Sequence, residues 1–225
     1  MANRLFADCA KHLPEFSMNV VFDVGANIGQ STDAIIEHFP TAQVFAFEPV
    51  SATFAQFMQR FGDFPNVKAN RLALSSRCAA GNVMASGTSV LNSLTEEIGT
   101  AENPVEPVDL LTGDVYCDQN GIEHISYLKV DTEGFDMEVL KGFHQMIGRQ
   151  RIDLIQVEAA MNPLNERHVD LTTFRGYLEA CNYYLFGIYG ARHERKVPML
   201  RRCNPVFISQ RLLDANTRRR AKAER

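Results

Sequence analysis

Short apolar runs alternate along the chain with longer stretches in which apolar residues recur at helical spacing. That alternation is how βαβ units read, and it predicts an α/β domain with a mostly parallel sheet. Val20-Val21-Phe22-Asp23-Val24 is a β-rich run that stops at Gly25, and residues 28–39 then carry Ile28, Ile35, Ile36 and Phe39 at helical spacing before Pro40. Residues 43–47 predict a second strand closed by Glu48-Pro49, and Ser51 opens a helix with Phe54, Phe57, Met58 and Phe61 on its inner face. A third strand is expected over 67–74, interrupted by Lys68 and Arg71.

From Ser75 to Asn120 the pattern weakens, because Gly81, Gly87, Gly99, Gly113, Pro104 and Pro107 cut it into short pieces; hairpins or a lid-like insertion are expected there. Regularity returns with a fourth strand at 125–130, a helix through Met137, Val139, Leu140 and Phe143, and a fifth strand at 152–157 ending at Glu158. Residues 171–180 read as helix, and two late extended runs, 183–188 and 205–208, predict a closing antiparallel hairpin. The whole reads as one doubly wound domain over residues 1–213, followed by a basic tail at 214–225 that is expected to be a solvated, frayed helix end.

Composition narrows the partners. A formal charge of −4 over 225 residues gives no global attraction for nucleic acid or an anionic membrane. No apolar run resembles a signal peptide or approaches the roughly 20 residues of a membrane span. The five cysteines are scattered without a Cys-x-x-Cys pair, so neither a zinc ribbon nor a redox site is expected and a reducing cytoplasm fits best. The expected partner is a small molecule.

In an open parallel sheet, ligands sit beyond the carboxyl ends of the strands where the strand order reverses. After the first strand come Gly25, Ala26, Asn27, Ile28, Gly29 and Gln30, a loop able to turn sharply at a helix N-terminus. After the second comes Glu48, about 20 residues on, where an acid can accept hydrogen bonds from both hydroxyls of a ribose. The pair implies an adenosine-type ligand. Asn27 and Gln30 stand where a dinucleotide fingerprint needs its second and third glycines, so a pyrophosphate fits poorly. Asp23 could hold a ligand's ammonium group, which S-adenosylmethionine has and NAD lacks.

At this point the motifs Asp23-Val24-Gly25-Ala26-Asn27-Ile28-Gly29, Phe47-Glu48-Pro49, Ala73-Leu74-Ser75 and Lys129-Val130-Asp131-Thr132-Glu133-Gly134 together resemble the FkbM family of methyltransferases, from about residue 20 to 158. The resemblance implies the class I methyltransferase fold, a Rossmann-like sheet of about seven strands with one antiparallel strand, and S-adenosyl-L-methionine as cofactor. It implies that Gly25 to Gln30 contact the methionine part and the ribose, Glu48-Pro49 the ribose side, and Ala73, Leu74 and Ser75 the adenine region. It further implies O-methylation of a hydroxyl on a sugar, a polyketide or another small molecule.

Methyl transfer from a sulfonium is an in-line displacement that needs an oriented acceptor oxygen and a base for its proton. Asp131 and Glu133 after the fourth strand, and Glu158 after the fifth, are the expected catalytic carboxylates, with Asp131 or Glu158 as proton acceptor. Asp131 shares a strand face with Lys129, so a structural ion pair competes with the catalytic role. Those three acids could instead hold a divalent metal, although the direct-base reading is preferred and no metal is expected. His168 could swing over the cleft as a base. Two further readings stand beside the methyltransferase: an NAD-dependent oxidoreductase on a similar sheet, and a non-catalytic cofactor-binding protein.

Overall fold

A computed structural model describes residues 2–84, 94–95 and 105–223. Its first half contains α1 (Ala2–His12), β1 (Val20–Val24), α2 (Gln30–His38), β2 (Gln43–Phe47), α3 (Ser51–Phe61) and β3 (Val67–Asn70). There follow β4 (Ala73–Leu74), β5 (Ala79–Met84), β6 (Leu94–Thr95), β7 (Val105–Leu111) and α4 (Gly113–Asn120). The second half adds β8 (Ile125–Val130), α5 (Asp136–Gly142), α6 (His144–Gly148), β9 (Ile152–Gln156), β10 (Ala159–Ala160), α7 (Leu171–Ala180), β11 (Tyr183–His193), β12 (Leu200–Ser209) and α8 (Gln210–Ala223).

The large sheet runs β3-β2-β1-β8-β9-β12, with β11 and the short β10 also paired to β12. β1, β2, β3, β8 and β9 are parallel, whereas β12 is antiparallel to β9 and forms a hairpin with β11. The expected doubly wound sheet with its C-terminal antiparallel hairpin is therefore present. Chain order reverses between β1 and β8, so the loops leaving those two strands open onto one crevice.

Period-two alternation divides each central strand between two cores. Phe22, Phe45, Leu128, Ile155 and Phe207 face α4 to α7 and meet Tyr116, Leu140, Phe143, Phe174 and Leu178. On the other face, Val21, Val44, Tyr127, Leu154 and Val206 meet Leu5, Phe6 and Cys9 of α1, Ile35 of α2 and Leu212 of α8. Because both faces are covered, β8 and β9 are buried along their whole length, which is why their sequences are nearly continuous apolar runs. α1 was not predicted, yet its inner face supplies one end of the second core.

The third strand expected over 67–74 breaks after Asn70. β3 stays on the edge of the large sheet, and β4 pairs in parallel with β7 in a second sheet ordered β4-β7-β5-β6. The side chain of Asn70 fixes the departure: its Nδ2 donates to the carbonyls of Ala46 and Lys68, and its Oδ1 accepts from the hydroxyl of Tyr116 at 2.9 Å. The expected insertion thus contains a small antiparallel sheet in its described part, while Gly87, Gly99 and Pro104 lie outside the described residues. At the C-terminus, α8 runs without a break past residue 213, and buried Asn216 accepts from the backbone N–H of Glu15 at 3.0 Å. Among the described residues no helix is long and apolar enough to cross a membrane.

Candidate active site

The β1–α2 loop is shaped by close approach. Gly25 has φ +73°, and a Cβ there would stand 2.0 Å from the backbone oxygen of Asp131, so only glycine lets the loops after β1 and β8 touch. Asn27, at φ +53°, is also left-handed. The backbone N–H groups of Gly25 and Ala26 both donate to the carbonyl of Phe47, tying this loop to the end of β2. Glu48 completes the tie: its Oε2 accepts from the N–H of Asn27 at 3.0 Å and its Oε1 from Val50 at 2.9 Å. Burial outweighs these bonds and pushes the Glu48 carboxyl up to about 7.

Beneath this turn lies a buried ionic triad. Asp23 is fully buried, with Oδ2 accepting from Thr32 Oγ1 at 2.8 Å and Oδ1 3.0 Å from Lys129 Nζ. Lys129 also stands 3.5 Å from Asp131 Oδ2, so one ammonium joins the strands on either side of the reversal point. The ammonium beside Asp23 is therefore the chain's own. Asp131 is two-thirds buried, and its carboxyl is pushed up to about 6: burial raises it, Lys129 opposes, and Glu158, Asp136 and Glu133 raise it further.

A second ionic group flanks the first. Glu133 adopts φ +54° after β8; its Oε2 is 2.8 Å from Arg167 Nε and 3.4 Å from His168 Nε2. His168 Nε2 is 2.6 Å from Glu158 Oε2, while Arg202 pairs with the other oxygen of Glu158. Burial opposes charging of the imidazole, but hydrogen bonds to Glu133 and Glu158 prevail and raise His168 to about 9. Despite its burial, Glu158 is held below the usual carboxylate range by His168 and Arg202. Glu133, Glu158 and His168 present atoms within 4.8 Å of one another, a spacing a cation could bridge, but Arg167, Arg202 and a charged imidazole already neutralise the two acids.

Above both groups opens a cavity of about 490 Å³ at the carboxyl ends of β1, β2 and β8. Of the residues singled out from sequence, Gly25, Ala26, Asn27, Gln30, Glu48, Pro49, Ala73, Leu74, Asp131 and Glu133 line it together. Asp23, Gly29, Ser75 and Glu158 stand behind the lining. Gly29, at φ +90°, packs against the Phe61 ring, and Ser75 donates its backbone N–H to Leu111. Its lining combines apolar side chains, Phe47, Leu72, Ala73, Leu74 and Val83, with the charged Lys129, Asp131, Glu133, Arg192 and Arg202.

The sequence matches the Methyltransferase FkbM domain over residues 23–185. The chain belongs to this methyltransferase family. Family membership makes S-adenosylmethionine the methyl donor, and the site fits it: a glycine turn that tolerates no side chain, an acid at the end of β2 and an apolar slot share one cavity. Among curated relatives, a hexuronic acid methyltransferase, AglP, of Haloferax volcanii is 29% identical over 146 residues, covering 64% of this chain and 58% of that protein. Methyltransferase 1 of Beauveria bassiana is 28% identical, covering 54% of this chain and 57% of its own length. The chain thus spans less than two thirds of either relative. Solved structures agree on the fold. M. capricolum TrmK bound to S-adenosylhomocysteine superposes with a TM-score of 0.52 at 10% identity, covering 92% of this chain and 68% of that one. A methyltransferase of Clostridium acetobutylicum gives 0.52 at 6%, covering 92% and 90%.

Sequence reasoning missed two arginines of the cavity, Arg192 and Arg202, both beyond the matched residues 23–185, and the double role of Lys129. Arg192 and Arg202 lie beyond the region that carried the resemblance, on strands whose pattern reported packing alone. Lys129 was legible as a partner of Asp131, but its bond to Asp23 needs β1 and β8 to be neighbours.

Proposed function

We propose that this domain transfers a methyl group from S-adenosylmethionine to a hydroxyl of a carbohydrate-like acceptor, with Asp131 as proton acceptor. The observation that carries the reading is the single cavity that joins the Gly25 turn, Glu48 and Asp131. The cofactor supplies an electrophilic methyl on a sulfonium, so the chain's task is to position the acceptor oxygen and receive its proton.

Glu48 is suited to accept ribose hydroxyls. Each of its oxygens is fixed by one backbone N–H, and each retains a further lone pair. Leu72, Ala73, Leu74 and Val83 offer an apolar slot of the kind an adenine ring fills.

Among the three candidate acids, Asp131 has the better protonation behaviour. It lines the cavity with a carboxyl pushed up to about 6, and its Oδ1 has no hydrogen-bond partner among the described residues. Glu158 lies outside the lining, is ion-paired on both oxygens and is held low. Lys129 positions Asp131 through Oδ2, leaving Oδ1 for a substrate proton. Glu133, pinned by Arg167 and His168, shapes the rim. The sugar class is supported by the relative described as a hexuronic acid methyltransferase.

Calorimetric titration with S-adenosylhomocysteine tests the cofactor half: binding by the wild type and loss of at least about tenfold in affinity in Glu48→Ala are expected. Unchanged binding in that variant removes the assignment of Glu48.

A further inference from the structure

We propose that the acceptor carries a carboxylate, as a uronic acid does, and that Arg192 receives it; this rests on the methyltransferase reading above. The proposal starts from an unspent charge. Lys129 is shared by Asp23 and Asp131, Arg167 is paired with Glu133, and Arg202 is paired with Glu158. Arg192, an exposed residue at the cavity mouth, lines the same cavity, and among the described residues its guanidinium has neither an ion pair nor a hydrogen bond. A cation left unpaired in a cavity wall is an offer to an anion.

The backbone aims it. Arg192 of β11 is the register partner of Arg202 of β12, and the ladder slips on both sides of it, between Tyr189 and Arg192 and again between Arg192 and His193. Such irregularities redirect a side chain and recur beside functional sites. Arg202 gives one arm to Glu158 and retains further N–H donors. The pair therefore places a free guanidinium and a partly free one in the cavity that Asp131 also lines.

Carboxylate is the anion best matched to this arrangement. A planar guanidinium binds it through two parallel hydrogen bonds, which fixes orientation as well as position. Such a contact would set a ring hydroxyl of the same sugar toward the proton acceptor. The relative that modifies a hexuronic acid, 29% identical over the matched segment, is consistent with this chemistry. The other carboxylate that could claim Arg192 belongs to the cofactor's methionyl group, and the experiment separates the two.

The protein saturated with S-adenosylhomocysteine is titrated with D-glucuronate, D-glucose and D-glucose 6-phosphate, for wild type, Arg192→Gln and Arg192→Lys. Glucuronate is expected to bind about 10- to 100-fold more tightly than glucose. Arg192→Gln should erase that preference and Arg192→Lys restore part of it, while affinity for S-adenosylhomocysteine stays unchanged. In turnover with glucuronate, Arg192→Gln should raise KM, because the contact already exists in the ground state, and lower kcat as well, because the hydroxyl is no longer aimed at the proton acceptor. Equal binding of glucuronate and glucose, binding of neither, or preference for the phosphate overturns the proposal and leaves the methyltransferase reading standing. Weakened S-adenosylhomocysteine binding in Arg192→Gln, with acceptor preference intact, reassigns the arginine to the cofactor. Failure of the wild type to bind S-adenosylhomocysteine at all sinks the underlying reading instead.

Discussion

Glu48 and Asp131 are two cavity carboxyls whose protons are held more tightly than in water, and each predicts a pH dependence of its own kind. A base must be deprotonated to work, so with Asp131 pushed up to about 6, kcat/KM for the acceptor at saturating cofactor should be flat at neutral pH and fall tenfold per unit below about 6. Asp131→Asn should lower kcat by at least about 100-fold with S-adenosylhomocysteine affinity preserved. A variant retaining full turnover removes the residue from the chemistry. Glu48 makes a thermodynamic prediction. Free, its carboxyl sits at about 7; hydroxyls donating to it favour the ionised form and lower that value. Cofactor-product binding should therefore release a proton, and affinity should rise as pH climbs toward about 7 and level off above it. Calorimetry in buffers of different ionisation enthalpy measures the proton directly, and zero release contradicts a ribose contact at Glu48.

At the scale of elements, the site depends on two loops meeting. The absent side chain of Gly25 lets the backbone of Asp131 approach, so Gly25→Ala must push the β1 and β8 loops apart as well as strain its own left-handed φ. Loss of S-adenosylhomocysteine binding by at least about 100-fold, alongside a folded circular-dichroism spectrum, is the expected outcome; retained binding shows that the contact is dispensable. The elements that create this meeting were the most legible. β1, β2, β8 and β9 are covered on both faces and so are written as apolar runs, and the residues just past their ends were recognisable by chemistry. α1 did carry a signal, since Leu5, Phe6, Cys9 and Leu13 recur at helical spacing, but a single short helix before the first strand is easily passed over as a leader to the sheet. The break after Asn70 was not legible, because it is decided by side-chain bonds to Ala46 and Tyr116, neither visible in local periodicity. Arg192 and Arg202 escaped for a similar reason: their value lies in where the hairpin brings them.

For the whole molecule, His168 is the ionic hinge between the crevice and the C-terminal strands. It lies after β10, meets Glu133 from the β8 loop and Glu158 from the β9 end, and Glu158 in turn meets Arg202 of β12. Its folded value of about 9 lies above the ordinary 6.5, so its stabilisation is complete below about 6.5 and is lost as pH rises through about 9. The contribution is on the order of 3 kcal/mol. Thermal unfolding should show Tm declining across that window, and His168→Gln should be less stable at pH 6 and nearly flat between 6.5 and 9. A wild-type Tm that does not move there contradicts a charged imidazole.

The hairpin that carries Arg192 also separates two kinds of evolutionary freedom. Every residue proposed to grip the nucleoside precedes Asp131, whereas the unspent guanidinium arrives on β11, at the far end of the chain and on an irregular ladder. Changes in that ribbon can retune which molecules are admitted without disturbing the hold on the donor. Exchanging the β11–β12 tip between relatives is then a route to redirecting the enzyme while its engine is left alone.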